Sequence, residues 1–140
     1  MSADYFLDTN VLVYSFDENA PAKRDTARHL IAVALRQGSG VISWQVVQEF
    51  MNVALHKWEK PMGVEDANEY LNGILEPLCG VFPSATLWRS ALSLQIQSQY
   101  RFYDSLIVAS ALQCGAKVLY SEDLQGGRQF GKLEVRNPFV

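Results

Sequence analysis

The chain has 140 residues, 49% apolar and 19% charged, with a formal net charge of −3. That is the size and balance of a single globular domain spanning residues 1–140, and it excludes a disordered chain. The negative charge excludes binding of nucleic acid by bulk charge, but leaves room for an acidic site that holds cations. No apolar run is long enough to cross a bilayer, so no membrane is expected. The opening "MSADYFLD" lacks the basic and apolar regions of a signal peptide. Cys79 and Cys114, without metal-ligand spacing, read as reduced, buried thiols of a cytoplasmic protein.

In chain order, "DYFL" reads as a first strand ending near Leu7. Residues 11–16 begin a helix or turn after it. Asn19, with Pro21 just behind, marks a helix start, and Ala27, Leu30, Ile31, Ala34 and Leu35 follow at helical spacing until Gly38 and Gly40. "GVIS" is a second, buried strand. Val46, Phe50, Val53 and Ala54 form the next helical stripe, running to about Trp58 before "EKPMG" breaks it. Val64, Ala67, Leu71, Ile74 and Leu75 line another helix, with Glu65 and Asp66 in its first turn and Pro77 expected to end it.

"CGVF" is a third strand, Ser84 caps a helix through Leu94 and beyond, and residues 103–113 form a further helix stopped by Gly115. "KVLYS" is a fourth strand and "LEV" a fifth, while "GGRQFG" between them reads as a flexible loop. Helices between most strands predict an α/β fold: a mainly parallel sheet with helices on both faces. In such sheets ligands gather at the carboxyl ends of the strands, where strand order reverses.

Four acids from separate segments share that edge. Asp8 follows the first strand and Asp123 the fourth. Glu49 lies between Val46 and Val53 on the inward stripe of its helix, and Asp104 shares its stripe with Ile107, Val108, Ala111 and Leu112. Each alone has a structural role open to it: a turn cap for Asp8, a snorkelling acid for Glu49, a first-turn acid for Asp104, a surface turn for Asp123. Together they would repel one another unless a cation were present, and oxygen-rich sites suit Mg2+ or Mn2+. Thr9, Asn10 and Ser121 then supply neutral hydrogen bonds around the acids.

At these residues the chain resembles the PIN-domain ribonucleases, in particular the VapC-like toxins of toxin–antitoxin modules. "FLDTNVLVY" is similar to the family's opening strand and first acid, and "ISWQVVQEFMNV" to the segment of the second. "YRFYDSLIVASAL" is the most specific match, and "VLYSEDLQGGRQFGKLEVRNPF" resembles the closing segment, where a Ser or Thr precedes the fourth acid by two residues. The resemblance implies a three-layer α/β/α PIN-like fold and Mg2+- or Mn2+-dependent cleavage of RNA. It implies Asp8, Glu49, Asp104 and Asp123 as the catalytic and metal-holding acids, a homodimer, and an antitoxin protein as partner. Many relatives carry a further acid two residues after the fourth. Gln125 stands there in this chain, with Glu122 as a partial substitute.

His29 and His56 lie on separate helices with no nucleophile nearby, and read as surface or packing residues. Trp44, Trp58 and Trp88 read as core or interface anchors. Lys23, Arg24, Arg28, Arg89, Arg101 and Arg128 are scattered, and their spacing does not show which of them meets RNA. Two other classes compete. An aspartyl phosphatase with Asp8 as nucleophile would want an acid where Asn10 stands. A non-catalytic phospho-acceptor or interaction module gives no reason for Glu49 and Asp104 both to face inward.

Overall fold

Phe6 and Leu7 are wholly buried, on opposite faces of β1 (Tyr5–Leu7). Burial on both sides makes this short strand central. In the computed structural model, which describes residues 3–140, β1 pairs in parallel with β2 (Gly40–Ser43) on one side and β4 (Val118–Tyr120) on the other. The registers are Phe6 to Val41 and Phe6 to Leu119. With β3 (Cys79–Val81), β5 (Gln129–Phe130) and β6 (Leu133–Arg136), the six-stranded sheet has the order β3-β2-β1-β4-β6-β5. Strand order reverses between β1 and β4, as the helix–strand alternation led us to expect.

Helices flank the sheet in an α/β/α arrangement. α1 (Thr9–Tyr14) packs on α2 (Pro21–Gln37) and α3 (Trp44–His56), while α6 (Ala85–Ser98) packs on α7 (Phe102–Gln113). Phe50 anchors the α3 side: its ring stacks on Tyr70 at 4.9 Å and meets Trp58 edge-on at 5.9 Å. Gly40 is required for β2 to close on β1, because a Cβ there would lie 2.6 Å from both Ala34 Cβ and the Tyr5 ring. Gly38 ends α2 with φ of 63°.

Four local expectations are corrected. The N-cap of α2 is Ala20 with Pro21 as the first helical residue, so Asn19 lies outside the helix. Pro77 does not end the helix before it. α4 (Val64–Tyr70) continues through a π-helical turn, Leu71–Leu75, into α5 (Glu76–Leu78). The Glu76 N–H donates to Leu71 O, which widens the turn beside a residue that has no N–H to give. "GGRQFG" is not simply a loop, since Gln129 and Phe130 form β5, antiparallel to β6, with Phe130 buried. The cysteines are free but only half-buried.

Trp58 packs against the core, whereas Trp44 and Trp88 are exposed. Among the described residues no helix is long and apolar enough to cross a membrane.

Candidate active site

Asp8 leaves the carboxyl end of β1 and caps α1. Its N–H still donates to Tyr120 O at 3.0 Å, while its carboxylate accepts the Thr9 N–H at 2.7 Å. The capping role and the inward placement are therefore the same feature, not alternatives. Asp8 is buried among β1, α1 and the segment after β4. Ser121 Oγ donates to Asp8 Oδ2 at 2.7 Å and Asn10 Nδ2 approaches the same oxygen at 3.4 Å. Burial pushes the Asp8 carboxyl up to about 7, against the pull of the Ser121 and Thr9 hydrogen bonds, and the charges of Glu49 and Asp123 add to the rise.

The other acids arrive from three more elements. Thr9 Oγ1 donates to Glu49 Oε1 at 2.6 Å, tying the start of α1 to α3, and Gln45 Nε2 donates to Glu49 Oε2 at 3.3 Å. Asn10 Nδ2 donates to Asp123 Oδ2 at 3.2 Å, and Asn10 Oδ1 accepts the Glu122 N–H at 3.2 Å. The Asn10 amide thus has a defined orientation that aims its donor at the acids. Asp104 stands in the first turn of α7, half-buried. Desolvation raises its carboxyl, the charge of Asp123 adds to this, and Arg101 opposes it. Among the described residues, no side chain donates a hydrogen bond to Asp104 and none of the four acids has an ion-pair partner.

All four acids line one cleft of about 470 Å³ at the carboxyl edge of the sheet. They differ in burial: Asp8 is buried, Glu49 and Asp104 half-buried, and Asp123 exposed. Among the described residues, no three acid, His or Cys side chains stand close enough to enclose an ion as placed. The four acids line a cleft and do not form a closed cage. The donor set nevertheless fits a hard divalent ion. It is oxygen throughout, and it includes a buried carboxylate whose charge only neutral groups offset.

Glu122 also lines the cleft, but it is occupied. It accepts Tyr14 Oη at 2.6 Å and Lys23 Nζ at 2.6 Å. Lys23, and then Tyr14, hold its carboxyl below the usual range. Sequence reading did not find Tyr14 and Lys23 as its partners, because no local pattern links residues so far apart. It also passed over Gln45, Asn52 and Lys57, the last two of which line the same cleft. Arg128 is turned away to Ser98 O at 2.8 Å.

The PIN domain family model matches residues 5–128. No curated protein sequence matches the chain. Among solved structures, a toxin–antitoxin complex from Klebsiella pneumoniae is similar at 16% identity and a TM-score of 0.68, covering 96% of this chain and 97% of that one. VapBC2 from Rickettsia felis, bound to a DNA fragment from their promoter, is similar at 20% identity and a TM-score of 0.67, covering 95% and 97%. VapC20 of Mycobacterium tuberculosis, a sarcin–ricin loop cleaving toxin, is similar at 19% identity and a TM-score of 0.61, covering 85% and 89%. At these identities the likeness to the solved structures is one of fold.

Proposed function

The chain belongs to the PIN domain family, and from that premise we propose that it is a metal-dependent endoribonuclease, the toxin of a type II toxin–antitoxin pair. The observation that carries this is the meeting of Asp8, Glu49, Asp104 and Asp123 in one open cleft, none of them in an ion pair among the described residues. In this reading Asp8 and Asp104, with Glu49 and Asp123, hold Mg2+ or Mn2+. When bound there, such an ion would supply a water of lowered pKa and charge to offset that of the phosphate.

The protein's own groups set the geometry. Ser121 and the Thr9 N–H orient Asp8, Thr9 Oγ1 orients Glu49, and Asn10 holds Asp123 by Oδ2. In this reading Asp123, an exposed residue bonded by a side chain only at Oδ2, is the group that takes the proton of the attacking water. Among the described residues no histidine lines the cleft, which disfavours attack by the ribose 2′-hydroxyl and favours in-line hydrolysis by water. The aspartyl phosphatase reading is weaker, since both oxygens of Asp8 are engaged as acceptors and Asn10 brings no acid to the site.

The same reading makes the chain a single nuclease domain that acts in the cytoplasm, pairs with a second copy and is silenced by an antitoxin protein. Structures of similar fold were solved as toxin–antitoxin complexes. The test is to incubate the protein with single-stranded RNA and with a small phosphate ester, each with Mg2+, Mn2+ or a chelator, and to map the RNA ends. Products with 5′-phosphate and 3′-hydroxyl ends, formed only with metal, are expected. A 2′,3′-cyclic phosphate formed in the presence of chelator would overturn the proposal.

A further inference from the structure

The acid cleft carries one basic residue that sequence reading did not single out. Lys57 caps the carboxyl end of α3, where its N–H donates to Val53 O at 2.9 Å, and it is one of the residues that line the cleft, as is Asn52. The other lysine at this edge, Lys23, is bound to Glu122 at 2.6 Å. Arg24, Arg28 and Arg136 are likewise held in ion pairs elsewhere. Among the described residues Lys57 is in no ion pair, and it is exposed.

A polyanion entering a cleft lined by Asp8, Glu49, Asp104 and Asp123 meets repulsion from any carboxylate that a metal ion does not offset. A free ammonium on the rim lowers that barrier at the place where the strand enters. We propose that Lys57 is a phosphate-binding residue of the substrate path, contacting a backbone phosphate that flanks the scissile one. This rests on the nuclease reading. The simpler role for a lysine at this position is to complement the helix dipole at the end of α3. That role predicts an effect on stability and none on the binding of RNA.

The test measures binding of a labelled single-stranded RNA over a range of salt, with Mg2+ present, in an Asp104→Asn background that does not cleave. Adding Lys57→Ala should weaken binding about two- to fivefold at low salt. It should also flatten the slope of log K against log salt by about 0.7, the signature of one lost phosphate contact on a single strand. Lys57→Arg should restore both. Lys132→Ala should change neither, because Lys132 precedes β6 at the opposite edge of the sheet. In the cleaving enzyme, Lys57→Ala should raise KM and leave kcat unchanged. An unchanged salt slope overturns the inference, whether or not the midpoint of unfolding moves. Failure of the nuclease reading looks different: the parent protein itself would not cleave RNA with metal.

Discussion

Ser121 Oγ donates a 2.7 Å hydrogen bond to Asp8 Oδ2 across 113 residues of sequence, and both side chains are buried. The bond joins the carboxyl ends of the two strands between which the sheet reverses. Ser121 Oγ in turn accepts the N–H groups of Asp123 and Leu124, each at 3.2 Å. One hydroxyl thus supports the first acid and shapes the turn that carries the fourth.

Ser121→Ala should therefore do more than remove one contact. It leaves two backbone N–H groups without their acceptor and takes from the buried Asp8 Oδ2 its short hydrogen bond, leaving only the 3.4 Å approach of Asn10 there, and costs about 1–3 kcal/mol in urea unfolding. Metal affinity, read by calorimetry, should fall about tenfold or more. Ser121→Thr should recover most of both. A Ser121→Ala protein with unchanged stability and affinity would show that the hydroxyl is idle.

The metal-free protein should lose stability as pH rises. Asp8 moves from 3.8 unfolded to about 7 folded, so between those values the folded state binds the extra proton. Stability falls through that window by at most about 4 kcal/mol, and Asp104, raised in the same direction, adds to the trend. Glu122, held low by Lys23, acts in the opposite sense only in more acid solution. Urea unfolding with chelator at about pH 5 and about pH 8 measures this. Greater stability at the higher pH would contradict the burial of a lone carboxylate.

Asp8→Asn, Glu49→Gln and Asp104→Asn should each abolish metal-dependent cleavage while leaving the circular dichroism spectrum unchanged. At about pH 8 and without metal, Asp8→Asn should unfold at a higher temperature than the parent, because it removes a buried charge. Mg2+ should raise the melting temperature of the parent and not that of the variants. Full activity in Asp8→Asn or Asp104→Asn would remove these residues from the site.

Trp88, Leu92 and Ile96 form one stripe on α6, exposed by 50%, 55% and 82%. Their spacing places them on a single helix face, and such a face suits a second copy. Light scattering at micromolar concentration should give a dimer for the parent and a monomer for Leu92→Glu/Ile96→Glu. A monomeric parent would sink the expected homodimer.

Much of the fold is written in short-range pattern. Helical and strand periodicity located most of the elements, because burying one face of a helix or both faces of a strand writes itself into neighbouring residues. The exit of Asp8 from β1, the inward stripe of Glu49 and the Ser84 cap were legible in that way, whereas α7 is buried all round from Ser105 to Ala111 and exposes Leu112, so the stripe expected for Asp104 is not one face of that helix. Two-residue β5 was too short to leave a period, and the π-helical turn arose from how the chain accommodates Pro77. Packing between distant segments accounts for the rest. It set the burial that raises the Asp8 carboxyl, the capture of Glu122 by Tyr14 and Lys23, and the placing of Lys57 on the acid cleft. Desolvation and Coulomb interaction depend on distance through space, and which distant residues become neighbours is set by strand order and packing, not by spacing along the chain.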